Sequence, residues 1–178
     1  MRVMPGISVM EPTDGVMLRS LIAQMANSYG VQYLRFPRRA VPRIYEEGAE
    51  FIIGKSVTLR EGTDASVIAG GVMVHEALKA AEILAGRGLQ VRVVDMFTVK
   101  PIDAEQVIDC ARRTGAIVTA ENHQVTGGLG GAVAEVLAEH QPAPLERVGV
   151  RDAFGEVGSQ DYLARRFGLT AEEIVAAV

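Results

Sequence analysis

Hydrophobic and polar positions alternate along the chain in a way that predicts strands and helices in turn. Apolar runs of four to six residues, typical of strands, are separated by longer segments whose apolar positions recur with a helical period. The predicted strands cover residues 7–10, 31–36, 56–60, 65–69, 90–95, 116–120 and 145–150. Six helices are predicted. The first begins at a cap at Thr13 or Asp14 and ends near residue 28, the second runs from after Gly71 to about residue 85, and the third covers residues 103–114. The fourth begins near residue 132, the fifth runs from 159 to about 167, and the sixth begins at a cap at Thr170.

This alternation predicts the fold class. Strands and helices joined by short loops are typical of a largely parallel open sheet with helices on both faces. Residues 55–178 contain enough elements for a complete α/β domain of this type. Residues 1–54 contain only two strands and one helix, too few to cover both faces of a parallel pair, followed by a proline-containing linker. We therefore predict a partial α/β domain with its linker at 1–54, whose beginning lies outside the chain, and a complete domain at 55–178.

Composition narrows the classes of function. The chain has 178 residues, of which 48% are hydrophobic, and a net charge of −4 with acids and bases interleaved. A nucleic-acid-binding protein would carry a basic patch, and a membrane span would need about 20 apolar residues, so neither class is expected. The first residues do not resemble a signal peptide. The lone Cys110 is expected in the core, and a cytoplasmic location is predicted.

A polar and glycine-rich segment follows the predicted strand at 116–120. Glu121, Asn122, His123 and Gln124 lead into the turn Gly127-Gly128-Leu129-Gly130-Gly131 and then a helix. A dinucleotide-binding fingerprint is excluded because its third glycine would fall on Val133. Two interpretations stay open: the glycines allow close packing or contact with a partner, or they contact a ligand directly.

His123 lies at the predicted rim of the sheet. The other histidines, His75 and His140, belong to separate helices, and no histidine or cysteine spacing typical of a metal site occurs. We therefore predict no metal ligation. His123 is either an ordinary polar residue or part of a subunit interface or the mouth of an active site.

Four arginines, Arg35, Arg38, Arg39 and Arg43, follow the predicted strand at 31–36. Guanidinium groups suit phosphate or carboxylate ligands, although a solvated basic linker would have the same composition. No Ser-His-Asp arrangement is evident, and no catalytic residue is predicted in this chain.

Several motifs, in a consistent order over nearly the whole chain, resemble the C-terminal part of the transketolase family of thiamine-diphosphate enzymes. They are MRVMPGISVMEPTDG, VQYLRFPRRAVP, VDMFTVKPID, AENHQVTGGLGGAVAEVLAEH and RVGVRDAFGEVGSQDYLARRFGLTAEEIVAA. The first two resemble the end of the pyrimidine-binding domain, and the others resemble the transketolase C-terminal domain. The phrase at 121–130 is most similar to transketolases encoded as two polypeptides, of which this chain would be the second.

Two related families share the domain order. Deoxyxylulose-phosphate synthases usually carry a substrate-phosphate arginine after the methionine of their MRFVKP phrase, whereas Phe97 follows Met96 here. The β subunits of 2-oxoacid dehydrogenases match the phrase at 121–130 less closely. A non-catalytic module for assembly or regulation is a further alternative.

The resemblance implies transfer of a two-carbon ketol unit between sugar phosphates, as in the pentose phosphate pathway. Thiamine diphosphate and Mg²⁺ would act in the full assembly, and this chain alone would bind neither and be inactive. The implied partners are an N-terminal transketolase subunit or its domains, in a homodimer or heterotetramer. By position, Arg38 matches an arginine that holds the sugar phosphate, with Arg35 a weaker second candidate. His123, Gln124, Gly127 and Gly128 match a segment at the domain and dimer boundary or the rim of the active site.

Overall fold

Two sheets organise the protein, and the computed structural model describes all residues from 1 to 178. In chain order the elements are β1 (Ile7–Met10), α1 (Gly15–Ala26), β2 (Val31–Leu34), β3 (Val57–Arg60), β4 (Ala65–Ala69), α2 (Met73–Ala85), β5 (Val91–Asp95), β6 (Thr98–Lys100), α3 (Ala104–Thr114), β7 (Ile117–Gln124), α4 (Leu129–His140), β8 (Leu145–Val150), α5 (Gln160–Arg166) and α6 (Ala171–Ala177). We refer to residues 1–54 as the first unit and to residues 55–178 as the second unit.

The larger sheet has the strand order β3-β5-β4-β7-β8. Its β4–β5, β4–β7 and β7–β8 pairs are parallel, and only the edge pair β3–β5 is antiparallel. The central strands of this sheet contain apolar runs because both faces of the sheet are buried, so residues pointing to either face within these runs are hydrophobic. The predicted mostly parallel α/β fold is confirmed.

Helices cover both faces of this sheet. The core on one face joins β4 and β5 to α2 and α6, through residues such as Met73, Leu84 and Ile174. The core on the other face joins the sheet to α3 and α4, and Cys110 is fully buried there as expected. These two clusters hold the second unit together and leave the carboxyl ends of β4, β7 and β8 at one edge.

The smaller sheet connects the two units. Strands β1 and β2 pair in parallel, as predicted for the first unit, and α1 begins at an Asp14 cap. The third strand is β6, which comes from the second unit and pairs antiparallel with β1. The sequence pattern missed β6 because its three residues follow β5 after a two-residue break and carry no period of their own.

The segment between β2 and β3 contains no regular element, as expected for a linker, but it is anchored. The Asp14 carboxylate accepts hydrogen bonds from the backbone N–H groups of Ile44 and Tyr45, each at 2.9 Å. The ring of Phe51 then packs edge-on against Tyr45 and Phe97, so the linker contributes to a core between the units. Burial alone would raise the pKa of Asp14, but hydrogen bonds from four backbone N–H groups lower it.

Two predicted boundaries around the glycine-rich turn differ from the structure. Strand β7 does not end at Ala120 but continues through the polar residues to Gln124, because Gln124 pairs with Val150 of β8 after a register shift. Helix α4 starts at Leu129 rather than near Ala132. The first turn of α4 contains Gly130 and Gly131, and because glycine is a poor helix former the sequence did not predict a helix there.

Candidate functional site

The polar side chains predicted as site residues surround the crevice at the point where the strand order of the larger sheet reverses. The chain leaves β4 toward β5 on one side, while β7 lies on the other side of β4. Open α/β sheets usually hold ligands in the crevice outside the carboxyl ends of the strands at such a point. Here the crevice is bordered by Gly70 and Gly71 after β4 and by Asn122 and His123 near the end of β7.

The first unit fills this crevice with the side chain of Glu11, which is 5% exposed. A Cβ atom added at Gly71 would lie only 2.6 Å from Cγ of Glu11, and Gly71 has a φ of +53°. Gly71 therefore leaves the space that the Glu11 side chain needs and adopts a backbone conformation that other residues rarely take. The position at which related folds bind a ligand is occupied by a carboxylate of the same chain.

Arg35 holds this carboxylate from the side of β2. Its guanidinium donates to Oε1 of Glu11, to Oδ1 of Asn122 and, at 3.0 Å, to the backbone carbonyl of Asn122. The backbone N–H of Arg35 donates to the carbonyl of Met10 at 2.9 Å. One arginine thus ties β1 and β2 of the first unit to β7 of the second unit.

His123 lies between two carboxylates. Its Nε2 is 3.5 Å from Oε2 of Glu11, and its Nδ1 is 3.0 Å from Oε2 of Glu121. Burial alone would lower the pKa of His123, but hydrogen bonds and charge interactions with Glu11 and Glu121 outweigh burial and raise the pKa to about 10. His123 is therefore a cation at neutral pH, and with Arg35 it balances the two carboxylates.

Glu121 also caps helix α4. It is fully buried, and its carboxylate accepts hydrogen bonds from the backbone N–H groups of Leu129 at 2.7 Å and Gly130 at 2.9 Å. A Cβ atom on Gly128 would lie 2.7 Å from both the carbonyl oxygen of Gln124 and Cε1 of His123. The helix N-terminus could bind an anion in principle, but the chain's own carboxylate occupies it. This observation favours close packing over ligand contact for the glycine turn.

We call Glu11, Arg35, Glu121, Asn122 and His123 the charge cluster. Beside it lies a groove of about 730 Å³ between the segment after β2, the start of α2, the ends of β7 and β8, and α5. Arg38 and Arg39 line this groove and are exposed. Neither guanidinium makes a hydrogen bond or ion pair within the chain, so both are available to an anion.

A second buried acid lies at the junction of the units. Asp95 is fully buried at the end of β5, where Oδ2 accepts hydrogen bonds from the hydroxyl groups of Thr13 at 2.6 Å and Tyr45 at 2.7 Å. Its other oxygen has no partner. Burial raises the pKa of Asp95 to about 7, against the effect of the two hydroxyl donors. These contacts join α1 and the linker to the sheet.

The structure brings most of the predicted site residues to one place. Arg35 and His123 belong to the charge cluster, and Arg38 lies at the groove. Gln124 lines the groove and donates to the carbonyl of Ala153 at 2.6 Å. Gly127 has a φ of +75° and open space around its Cα, whereas Gly128 has no room for a side chain.

The sequence analysis did not single out Glu11, and it did not foresee what Glu121 does. Glu121 lies in β7, eight residues before the start of α4 and outside the capping positions of the helix, so the sequence offers no local signal for this role. Glu11 precedes Pro12 in an unremarkable turn and gave no signal of its own.

No three His, Cys, Asp or Glu side chains converge in the way that a metal ion requires. None of the six helices combines the length and the apolarity needed to cross a bilayer.

The fold and the crevice together define an α/β domain with a mostly parallel sheet, tied to a second, three-stranded sheet by a charge cluster. A family model described as the transketolase C-terminal domain matches residues 54–174. The chain therefore belongs to the transketolase C-terminal domain family, and the resemblance noted from its motifs is confirmed.

Individual relatives agree with this assignment. The chain is 54% identical over 177 residues to the 6-deoxy-6-sulfo-D-fructose transketolase subunit SqwH of Clostridium sp. (strain MSTE9), covering 99% of this chain and 55% of that protein. It is 41% identical over 181 residues to a putative transketolase C-terminal section of Methanocaldococcus jannaschii, covering 100% of this chain and 56% of that protein. The chain thus spans little more than half the length of these relatives.

A solved structure described as a split gene transketolase, inactive beta4 tetramer, superposes with a TM-score of 0.95 at 45% identity. The match covers 99% of this chain and 57% of that chain. Both units therefore occur together in a known transketolase polypeptide, with the arrangement seen here.

Proposed function

We propose that the chain is the C-terminal part of a transketolase, working with an N-terminal subunit or section to transfer a two-carbon ketol unit between anionic sugars. The observation that carries this proposal is the 54% identity to a transketolase subunit across 99% of the chain. The division into a pyrimidine-domain remnant at 1–54 and a C-terminal domain at 55–178, the dimeric or heterotetrameric assembly, and a cytoplasmic location belong to the same proposal.

Within this assembly we assign the anionic end of the sugar to Arg38. Its guanidinium is exposed, has no partner in the chain and lines the groove at the carboxyl ends of the strands. A guanidinium offers a fork of N–H donors that suits phosphate or sulfonate oxygens, and it would add binding energy and orientation rather than bond making. Arg35 remains the second candidate, since Glu11 and Asn122 already engage its guanidinium.

We infer that thiamine diphosphate and Mg²⁺ bind outside this chain. At the crevice, the N-terminus of α4 is already occupied by the Glu121 carboxylate, which supports this placement. We therefore place the cofactor entirely on the partner domains and expect no heat of binding when thiamine diphosphate and Mg²⁺ are titrated into the isolated chain. Tight binding in that calorimetric experiment would contradict this placement.

The central test is reconstitution with a separately expressed N-terminal section, followed by an assay of ketol transfer. Arg38→Ala is expected to raise KM for a sugar phosphate by about tenfold or more, as expected for a lost charge-assisted contact. Arg43→Ala is the matched control, because Arg43 belongs to the same segment but pairs with Glu46 and lies outside the groove. An unchanged KM for Arg38→Ala would remove Arg38 from the site.

The assay should include a sulfonated sugar beside the phosphorylated one. The relative at 54% identity is named for 6-deoxy-6-sulfo-D-fructose, and a sulfonate presents oxygens that a guanidinium also binds. A higher kcat/KM for the sulfonated ketose would make it the preferred substrate.

The alternatives have less support. Phe97 is 1% exposed and packs against Phe51 with ring centroids 5.8 Å apart, so it cannot replace the phosphate-binding arginine of deoxyxylulose-phosphate synthases. A non-catalytic assembly module would give no ketol transfer after reconstitution. A dehydrogenase β subunit would instead associate with an acyltransferase core.

A further inference from the structure

We propose, on the basis of the function proposed for Arg38, that Glu11 and His123 are positioning residues that fix the segment 36–43 and thereby place the Arg38 guanidinium at the groove. The proposal concerns residues that contact no substrate. It rests on how the segment is attached to the rest of the protein.

The backbone of the segment 36–43 is connected to the rest of the protein by hydrogen bonds only at the ends of the segment. No backbone N–H or carbonyl group from 36 to 43 makes a hydrogen bond to another backbone group. The C-terminal anchor is the pair of hydrogen bonds from Ile44 and Tyr45 to Asp14. The N-terminal anchor is Arg35, three positions before Arg38. The position of Arg38 therefore depends on how firmly Arg35 is held.

Arg35 is held by the charge cluster. Its guanidinium donates to Asn122 of the second unit and to Glu11, whose carboxylate also contacts the second unit through His123. The Glu11 carboxylate is shared, since Oε1 binds Arg35 while Oε2 faces Nε2 of His123 at 3.5 Å. His123 is in turn fixed by the buried Glu121 at 3.0 Å. Removing the charge on Glu11 or His123 would therefore loosen Arg35 without touching Arg38.

The variants that test this chain of contacts are Glu11→Gln and His123→Gln, which keep size and polarity while removing one charge. The matched control is Glu135→Gln. Glu135 also joins the two units, because Arg2 donates to its carboxylate at 2.6 and 2.7 Å, but it does not contact the segment 36–43. A general loosening of the units would affect all three variants alike.

The first readout is tryptic cleavage of the full native chain, followed by mass spectrometry. Cleavage after Arg38 and Arg39 should become about tenfold faster in Glu11→Gln and His123→Gln, since a charge-assisted hydrogen bond contributes about one order of magnitude to a local equilibrium. It should remain unchanged in Glu135→Gln. Cleavage after Arg60 and Arg113, which lie in β3 and α3, reports global unfolding and should not change.

Unchanged cleavage after Arg38 and Arg39, or equal acceleration at all four arginines, would overturn the proposal. The second readout is the reconstituted enzyme, in which both variants should raise KM for a sugar phosphate with little change in kcat. A loss of kcat at constant KM would also contradict positioning. If cleavage becomes selectively faster but Arg38→Ala leaves KM unchanged, the anchoring is upheld and the role of Arg38 in the proposed function is rejected.

Discussion

Arg35 and Arg38 lie three positions apart in one segment and use the same side chain in opposite ways. The Arg35 guanidinium is bound by Glu11 and Asn122, whereas the Arg38 guanidinium has no partner in the chain. The comparison shows that a cluster of arginines in a sequence does not define an anion site. Only a guanidinium that the fold leaves unpaired has hydrogen-bonding capacity to offer a ligand.

The same contrast separates the charge cluster from the groove beside it. The acids and cations of the cluster satisfy one another, so substitutions there should change stability directly and substrate binding only through the position of Arg38. Arg38 and Arg39 at the groove are exposed and unpaired, so substitutions of these two arginines should mainly change binding. Each experiment below tests one side of this contrast.

The largest effect is expected for Glu121→Ala. This change leaves the N–H groups of Leu129 and Gly130 without acceptors and leaves His123 without one of its two carboxylates. Removing one partner of a buried ion pair costs about 3–5 kcal/mol of unfolding free energy. Urea unfolding of the isolated chain measures this loss. Glu139→Ala, which removes an exposed acid from the helix that Glu121 caps, serves as the control and should change stability by less than about 0.5 kcal/mol.

A smaller effect is expected for Gly128→Ala. The new Cβ would overlap Oε2 of Glu121 and lie 2.7 Å from the carbonyl oxygen of Gln124 and from Cε1 of His123, so the turn must shift. Overpacking of this kind costs about 1–3 kcal/mol. At Gly127 the added Cβ meets nothing within 4 Å, and only the φ of +75° opposes it, at about 1 kcal/mol. Equal losses for the two substitutions in thermal or urea unfolding would show that the cluster does not pack against the turn.

The next effect is a pH dependence centred on His123. The charged groups around it are Glu11, with Arg35 behind it, and Glu121 on its own strand. The pKa of His123 in the folded state is raised to about 10. The charged imidazolium therefore contributes fully to the free energy of unfolding below the unfolded-state pKa of about 6.5, and this contribution is lost as the pH rises through about 10. The stability difference between the wild type and His123→Gln should therefore shrink between pH 7 and 10, by at most about 1.4 kcal/mol per pH unit. A difference at His123 that is independent of pH would contradict the ionic cluster.

Much of the fold was predictable from the sequence because its signals are local. The bounds of β4 agree with the apolar run Ala65–Ala69, and the Asp14 cap was recognisable from its position before an amphipathic segment. Strand β6 was missed because its partner, β1, lies about 90 positions away in the chain. A three-residue strand has no period from which such pairing can be inferred.

The site was predictable only in part, for the same reason. His123 and the glycine turn are adjacent in the sequence, so their proximity at the end of β7 could be predicted. The role of Glu11 could not be predicted, because it depends on the first unit crossing the ends of β4 and β7. Which arginine would be paired likewise depends on where Glu11 and Asn122 lie in space.

The difference between Arg35, whose guanidinium is hydrogen-bonded, and Arg38, whose guanidinium has no partner in the chain, can be measured directly. The measurement is the free energy of urea unfolding of Arg35→Ala and Arg38→Ala in the isolated chain. Arg35→Ala should lower the unfolding free energy by about 2 kcal/mol, since it removes charge-assisted hydrogen bonds from partly buried partners. Arg38→Ala should lower it by less than about 0.5 kcal/mol, as expected for an exposed side chain without partners. Equal losses for the two variants would contradict the account.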